Sequence, residues 1–140
     1  LDKAFDLFDK SVKNEYRAET ALYYKAQTLK KQNKDDAYKA TLEEGAQKFP
    51  KDAKITSTLA NVYAFEGNNF YKKGAAIINA INEKVNAGSL KTTDEAYKSE
   101  WEKAKTEFRA AVEILEKAKA LDATNKNAQA LLDACNAVLQ

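Results

Sequence analysis

The chain has 140 residues, about the length of one domain, and its 23 Lys and Arg against 21 Asp and Glu leave a net charge of +2. So small a charge does not indicate nucleic acid or an anionic membrane as a partner. One proline, four glycines and few β-branched runs favour helix throughout, with no sheet.

The residue types that carry most catalysis are missing. No histidine occurs, which removes the commonest general base and transition-metal ligand, and no glycine-rich phosphate loop is present. We therefore expect no catalytic residue, no cofactor and no metal, so that an enzyme is the least favoured class.

No stretch reaches the roughly 18 to 20 apolar residues that a membrane helix needs, so we expect no membrane insertion by this segment. The chain starts at Leu1 and not at methionine, which leaves room for an upstream signal, anchor or domain. The compartment stays open, with the periplasm and the cell envelope among the candidates.

The first predicted helix covers about residues 2–13 and has a wide apolar stripe. The stripe consists of Leu1, Phe5, Phe8 and Val12. A stripe this wide indicates packing on two sides, either against an upstream helix or against another molecule.

Two further helices are predicted before the only proline. Asn14 is the expected N-cap of a helix at 15–32, and Asn33 that of a helix at 34–48, which ends at Phe49-Pro50. The residues expected to face inward are Leu22, Ala26 and Leu29 in the earlier helix and Ala37, Thr41, Leu42 and Gly45 in the later one.

The stretch from Lys51 to Ala87 carries apolar or small residues in steps of three and four that stay in phase. They are Leu59, Tyr63, Gly67, Phe70, Gly74, Ile77, Ile81 and Val85. This spacing predicts one helical face, with Asp52 as N-cap and Gly88 as the residue that ends the helix. Gly67-Asn68-Asn69 reads locally as a turn, however, so the stretch fits one long helix or two shorter ones.

Two more helices are predicted after this stretch. Thr92 and Glu95 form a Thr-x-x-Glu capping box that predicts a helix at 93–121, and 127–139 forms a last helix. The residues expected to face inward in the last helix are Leu131, Ala134, Cys135 and Val138.

Several segments resemble the tetratricopeptide (TPR) repeat, a helix-turn-helix unit with spaced large and small residues. Leu59-Ala60-x-x-Tyr63-x-x-x-Gly67-Asn68 resembles the end of the family's first helix. Ala111-x-x-x-Leu115-x-x-Ala118-x-x-Leu121 is similar to its second helix. First-helix spacing recurs at Leu22-x-x-x-Ala26-x-x-Leu29 and at Leu131-x-x-x-Cys135-x-x-Val138. The alternative is a generic helical bundle with accidental spacing.

The resemblance implies an all-α fold, a right-handed α-solenoid of antiparallel hairpins with about six helices. The first helix of each repeat unit (first-type) and the second helix (second-type) must alternate in such an array. This alternation favours a single first-type helix over 51–87. The last hairpin is then long, and Gly74 faces Phe108 in it. We expect residues 1–140 to form one domain, the C-terminal part of a longer array.

The resemblance also implies a role in binding a protein or peptide on the concave face, which the first-type helices line. The matching positions are Tyr23, Gln27, Lys30, Asn61, Ala64, Asn68, Tyr71, Gln129, Leu132 and Asn136. The alternative function is a structural, self-associating module, a homodimer through the first helix or the long hairpin.

Overall fold

The computed structural model describes residues 18–140. This part of the chain is all-α, as predicted, and contains no strand. The stripe of the first predicted helix, together with Asn14, lies outside the described residues. Five helices are described: α1 (Ala18–Lys31), α2 (Asp35–Lys48), α3 (Ala53–Asn86), α4 (Glu95–Leu121) and α5 (Lys126–Leu139).

The chain divides into two compact units, Leu1–Val62 and Tyr63–Gln140. The helix α3 begins in the first unit and ends in the second. The single-domain organisation and the sixth helix stay predictions.

In the first unit α1 packs against α2. The buried face of α1 consists of Ala18, Ala21, Leu22, Ala26 and Leu29, and it includes the three residues that were predicted to face inward. In α2 the prediction was right for Thr41, Leu42 and Gly45 but wrong for Ala37, which is exposed. The next residue, Tyr38, is buried in its place, because a large ring removes more apolar area from water than a methyl group does.

The sequence predicted Asn33 as the N-cap of α2, and this was wrong. Asn33 instead ends α1. Its φ of 59° is left-handed, which asparagine tolerates better than most residues. The backbone N–H of Lys34 donates to the carbonyl of Leu29 at 3.0 Å, which closes the helix end. The residue before α2 is Lys34, whose side chain makes no capping hydrogen bond.

The joint between α2 and α3 follows the prediction. The helix α2 ends at Lys48, before Phe49-Pro50, and the carboxylate of Asp52 accepts a hydrogen bond from the backbone N–H of Ile55 at 3.1 Å. Ile55 is 1% exposed, and its side chain lies against Gly45 of α2. A glycine at this contact lets the two backbones approach closely.

The helix α3 continues without interruption through Gly67, which confirms the long-helix alternative. A Cβ on Gly67 would lie 2.5 Å from Cγ of Leu115, and one on Gly74 would lie 2.8 Å from the Phe108 ring. Leu115 and Phe108 are at most 1% exposed. The two glycines therefore make room for buried side chains of α4, and the predicted pairing of Gly74 with Phe108 is confirmed.

The turn from α3 to α4 contains one correct and one wrong prediction. Gly88 has a φ of 78°, as expected for the residue that ends a helix. The capping box of Thr92 and Glu95 does not form, because α4 begins only at Glu95 and its N-cap is Asp94. The Asp94 carboxylate instead accepts a hydrogen bond from the backbone N–H of Lys91 at 2.8 Å.

The turn from α4 to α5 is held by side chains that bond to nearby backbone. The hydroxyl and the backbone N–H of Thr124 donate to the Asp122 carboxylate, at 2.6 and 3.0 Å, and the hydroxyl bond is the main cause that lowers the pKa of Asp122. The buried Asn125 caps α5, because its side-chain oxygen accepts from the backbone N–H of Ala128 at 3.0 Å.

In the second unit α5 packs against α4. The buried residues of α5 are Ala128, Leu132 and Cys135. The prediction was thus right for Cys135, whereas Leu131, Ala134 and Val138 are only partly buried. Burial raises the pKa of the Cys135 thiol.

Candidate functional site

Two of the predicted binding residues of α1, Tyr23 and Lys30, lie within a cluster of tyrosine rings and lysine side chains. Tyr23 is partly buried, and its ring meets that of Tyr24 edge-to-face with 6.0 Å between the centroids. The Lys54 ammonium lies 5.9 Å from the centroid of the Tyr23 ring. Contacts of both kinds orient aromatic side chains at a surface and stabilise them modestly.

The other two predicted residues of α1 differ in exposure. Gln27 is partly buried, and Lys30 is exposed with its ammonium 5.5 Å from the centroid of the Tyr38 ring. Burial is the main cause that raises the pKa of Tyr38, and the charge of Tyr23 adds to it. Tyr38 was not among the residues predicted to face inward, since Ala37 was expected at that face, so its place beside this cluster was not foreseen.

The four predicted residues of α3 do not share one environment. Asn61 is exposed and Asn68 is partly buried. Ala64 is only 6% exposed and so presents little surface to a ligand, and its place in a binding groove stays a prediction. Tyr71 is partly buried, with its ring edge-to-face on Phe108 at 5.6 Å, so much of its area serves the packing of α3 on α4.

The most exposed large apolar side chain that is described belongs to a residue that sequence reasoning missed. Phe65 is 66% exposed, and the other exposed large side chain is Tyr24 at 54%. Phe65 is out of phase with the buried stripe of α3, which was the signal that could have revealed it. Its neighbours three, four and seven positions later are Asn68, Asn69 and Lys72, which share its side of the helix.

We call Phe65, Asn68, Asn69 and Lys72 the Phe65 surface. It combines an aromatic ring with two amides and one cation, and Asn68 is its least exposed member. A ring offers apolar area at a low entropic cost, and each amide can both donate and accept a hydrogen bond. The surface is thus suited to contact with a polypeptide backbone.

The predicted residues of α5 are divided between surface and core. Gln129 and Asn136 are exposed, and the Gln129 amide donates to the Asp133 carboxylate at 2.8 Å. The assignment of Leu132 to the groove stays a prediction, but its side chain is only 8% exposed and presents little surface. The cause is the rotation of α5 by about one residue, which buries Leu132 in place of Leu131.

The structure therefore places Tyr23 in the ring cluster of the first unit and Asn68 on the same side of α3 as Phe65, whereas Ala64 and Leu132 are buried. Within residues 18–140, no three His, Cys, Asp or Glu side chains lie close enough together to bind a metal ion. Over the same range, none of the helices is both long and apolar enough to cross a bilayer.

Comparison with known proteins gives no relative for this chain. No protein-family model matches it, and neither curated proteins nor solved structures give a significant match. Membership of the TPR family stays a prediction from the residues quoted above.

Proposed function

We propose that this chain is a non-enzymatic, TPR-like scaffold that binds a protein or peptide, with a right-handed solenoid of hairpins as its architecture. The observation that carries the proposal is the exposure of Phe65 on a first-type helix, beside Asn68 and Asn69. A ring that is 66% exposed makes little contribution to the fold and is available to a partner.

The chemistry of the Phe65 surface favours an extended or helical peptide as the ligand. The ring of Phe65 would pack on an apolar side chain, while the amides of Asn68 and Asn69 would bond to peptide N–H and C=O groups. Lys72 would add attraction for a carboxylate near the same segment. In this proposal the binding face also includes exposed or partly exposed residues of the other first-type helices. These are Tyr23, Gln27 and Lys30 on α1 and Gln129 and Asn136 on α5.

The test is a selection from a random peptide library displayed on phage, with the intact chain immobilised as bait. Selected peptides are synthesised with a fluorescent label, and their affinities are measured by anisotropy for the wild-type chain and for Phe65→Ala and Asn68→Ala. Loss of a central aromatic anchor costs about 2 kcal/mol, so Phe65→Ala should weaken binding roughly thirtyfold.

The matched control is Tyr24→Ala, which removes the other exposed ring and lies outside the Phe65 surface. We expect it to weaken binding much less than Phe65→Ala does, because Tyr24 acts on the proposed face only through its ring contact with Tyr23, and we expect both variants to keep a melting temperature close to that of wild type because the two rings are exposed. Failure to select any peptide, or equal affinity of all selected peptides for wild type and Phe65→Ala, would reject the proposal. Sedimentation of the wild-type chain as a dimer would favour self-association instead.

A further inference from the structure

The helices of the first unit differ in the sign of their charged residues. From Tyr23 to Lys31, α1 carries three lysines and no acid, and from Ala53 to Val62, α3 carries Lys54 and no acid. In contrast, α2 carries four acids and two lysines. Positive charge in this unit is therefore concentrated on α1 and on the start of α3.

Four residues of these two helices form what we call the Tyr23 face. They are Tyr23, Gln27 and Lys30 of α1 and Lys54 of α3, and all four belong to the first unit. The α1 members are four and three positions apart, so they share one side of the helix. The Lys54 ammonium lies 5.9 Å from the centroid of the Tyr23 ring, which places the start of α3 beside this side of α1.

Both cations of the Tyr23 face lie near rings and are not paired with carboxylates. Lys30 and Lys54 are exposed, and the Lys30 ammonium lies 5.5 Å from the centroid of the Tyr38 ring. The ion pairs among residues 18–140 involve neither lysine, so Glu19, the only acid of α1, does not neutralise them. A cation near a ring at an exposed site is held only weakly, and an incoming carboxylate can approach it at small cost.

The two cations are held at different rings, and this separation favours an elongated ligand. Tyr23, which contacts Lys54, and Lys30 are seven residues apart, or about 10 Å along the axis of α1. About four residues of an extended peptide cover this distance, at roughly 3.3 Å per residue. Such a segment can bring one carboxylate to each lysine, whereas a single small anion is suited to only one of them.

We infer that the Tyr23 face binds an extended acidic peptide segment, with one carboxylate beside Lys30 and another beside Lys54. The Gln27 amide lies between them on α1 and can bond to the peptide backbone. A basic segment would meet like charge at both ends of this face. The inference rests on the proposed function in taking a peptide as the ligand, and it adds the charge of that peptide.

The test is a fluorescence anisotropy titration of the intact chain into a labelled peptide in which aspartate and alanine alternate. Both peptide ends are blocked, and the alternation places every carboxylate on one side of an extended chain. We expect a saturable rise in anisotropy and an affinity that falls as salt is raised. The same peptide with asparagine in place of aspartate should give no saturable rise at equal concentration.

The variant Lys30→Gln/Lys54→Gln should lose at least about tenfold in affinity for the aspartate peptide. The matched control is Lys31→Gln/Lys51→Gln, which removes the same charge from two exposed lysines outside the Tyr23 face. We expect its affinity to stay within about twofold of wild type, because exposed charges away from the ligand are screened. Thermal unfolding checks that all three proteins are equally folded.

Several outcomes would overturn the inference. These are no binding of the aspartate peptide by wild type, an equal loss of affinity in the two double variants, or displacement of the peptide by an equal concentration of inorganic phosphate, which would indicate a small-anion site.

A titration of Phe65→Ala with the same peptide separates this inference from the proposed function. Retained binding supports the inference whatever the role of Phe65. Loss of binding in Phe65→Ala, with none in Lys30→Gln/Lys54→Gln, would overturn the inference and leave the proposed function standing.

Discussion

The contact between Gly74 and Phe108 makes the replacement Gly74→Leu the sharpest test of the long hairpin. A Cβ at position 74 would lie 2.8 Å from two carbons of the Phe108 ring, well inside the van der Waals contact distance of about 3.5–4.0 Å. The ring is 1% exposed and is also held by Tyr71, so it cannot move out into water. The leucine side chain must therefore push α3 and α4 apart.

The magnitude follows from two opposing terms. Overpacking a buried site costs roughly 1–3 kcal/mol, and a leucine opposite a closed ring belongs at the upper end of that range. Replacement of a mid-helix glycine returns about 0.8–1 kcal/mol in helix propensity. The net loss is about 2 kcal/mol, which corresponds to a fall in Tm of about 4–8 °C for a chain of this size.

The assay is thermal unfolding followed by circular dichroism, with Gly45→Ala as the matched control. A Cβ on Gly45 would lie 3.1 Å from the Ile55 methyl group, a contact that a small shift relieves. We expect the Tm of this control to stay within about 2 °C of wild type, because the propensity gain offsets the tighter contact.

A double-mutant cycle isolates the pair. Phe108→Leu frees space opposite position 74, so Gly74→Leu should destabilise the Phe108→Leu protein by at least ~1 kcal/mol less than it destabilises wild type. An unchanged Tm for Gly74→Leu, or strict additivity in the cycle, would refute the reasoning.

Three further predictions concern the helix ends and the core. In urea unfolding, Asn33→Gly should raise the free energy of unfolding and Asn33→Val should lower it by about 1 kcal/mol or more, because the backbone there is left-handed; equal free energies of unfolding would contradict this. Asn125→Ala should cost about 1–2 kcal/mol by loss of the buried cap of α5, whereas Asp94→Ala, whose carboxylate makes no cap bond to α4, should cost less in the same urea assay. Since burial raises the pKa of Cys135 above its usual 9.0, the native state holds the thiol proton more tightly, so stability should be constant below about pH 8.5 and fall as pH rises through the folded pKa. Urea unfolding from pH 7 to 10 checks this, and Cys135→Ala should show less of the decline.

The sequence was sufficient to locate the five described helices, because their signals are local. Phe49-Pro50 stops a helix by steric restriction, and Gly88 supplies the left-handed residue that ends another. The unbroken helix through Gly67 was harder, because a Gly-Asn-Asn run is a local turn signal. The buried residues opposite both glycines supply the tertiary reason why that signal did not prevail.

The wrong predictions lie where one sequence pattern is compatible with two roles for a residue, or with burial of either of two adjacent residues. Asparagine is common both at the start and at the end of a helix, so the role of Asn33 depended on its φ. Leu131 and Leu132 are adjacent and equally apolar, and only the packing of α5 on α4 selects Leu132 for the core. In the same way, tertiary packing buries Tyr38 and leaves the adjacent Ala37 exposed.

The candidate sites show the same division between local and tertiary information. Residue type and sequence separation alone determined the helical content and the phase of the apolar face of α3, because both are local properties of the chain. The exposure of Phe65 and the burial of Ala64 and Leu132 were decided only by the tertiary structure. Exposure depends on which neighbouring helix covers a side chain, and a periodic pattern indicates which residues share a face but not what lies against it.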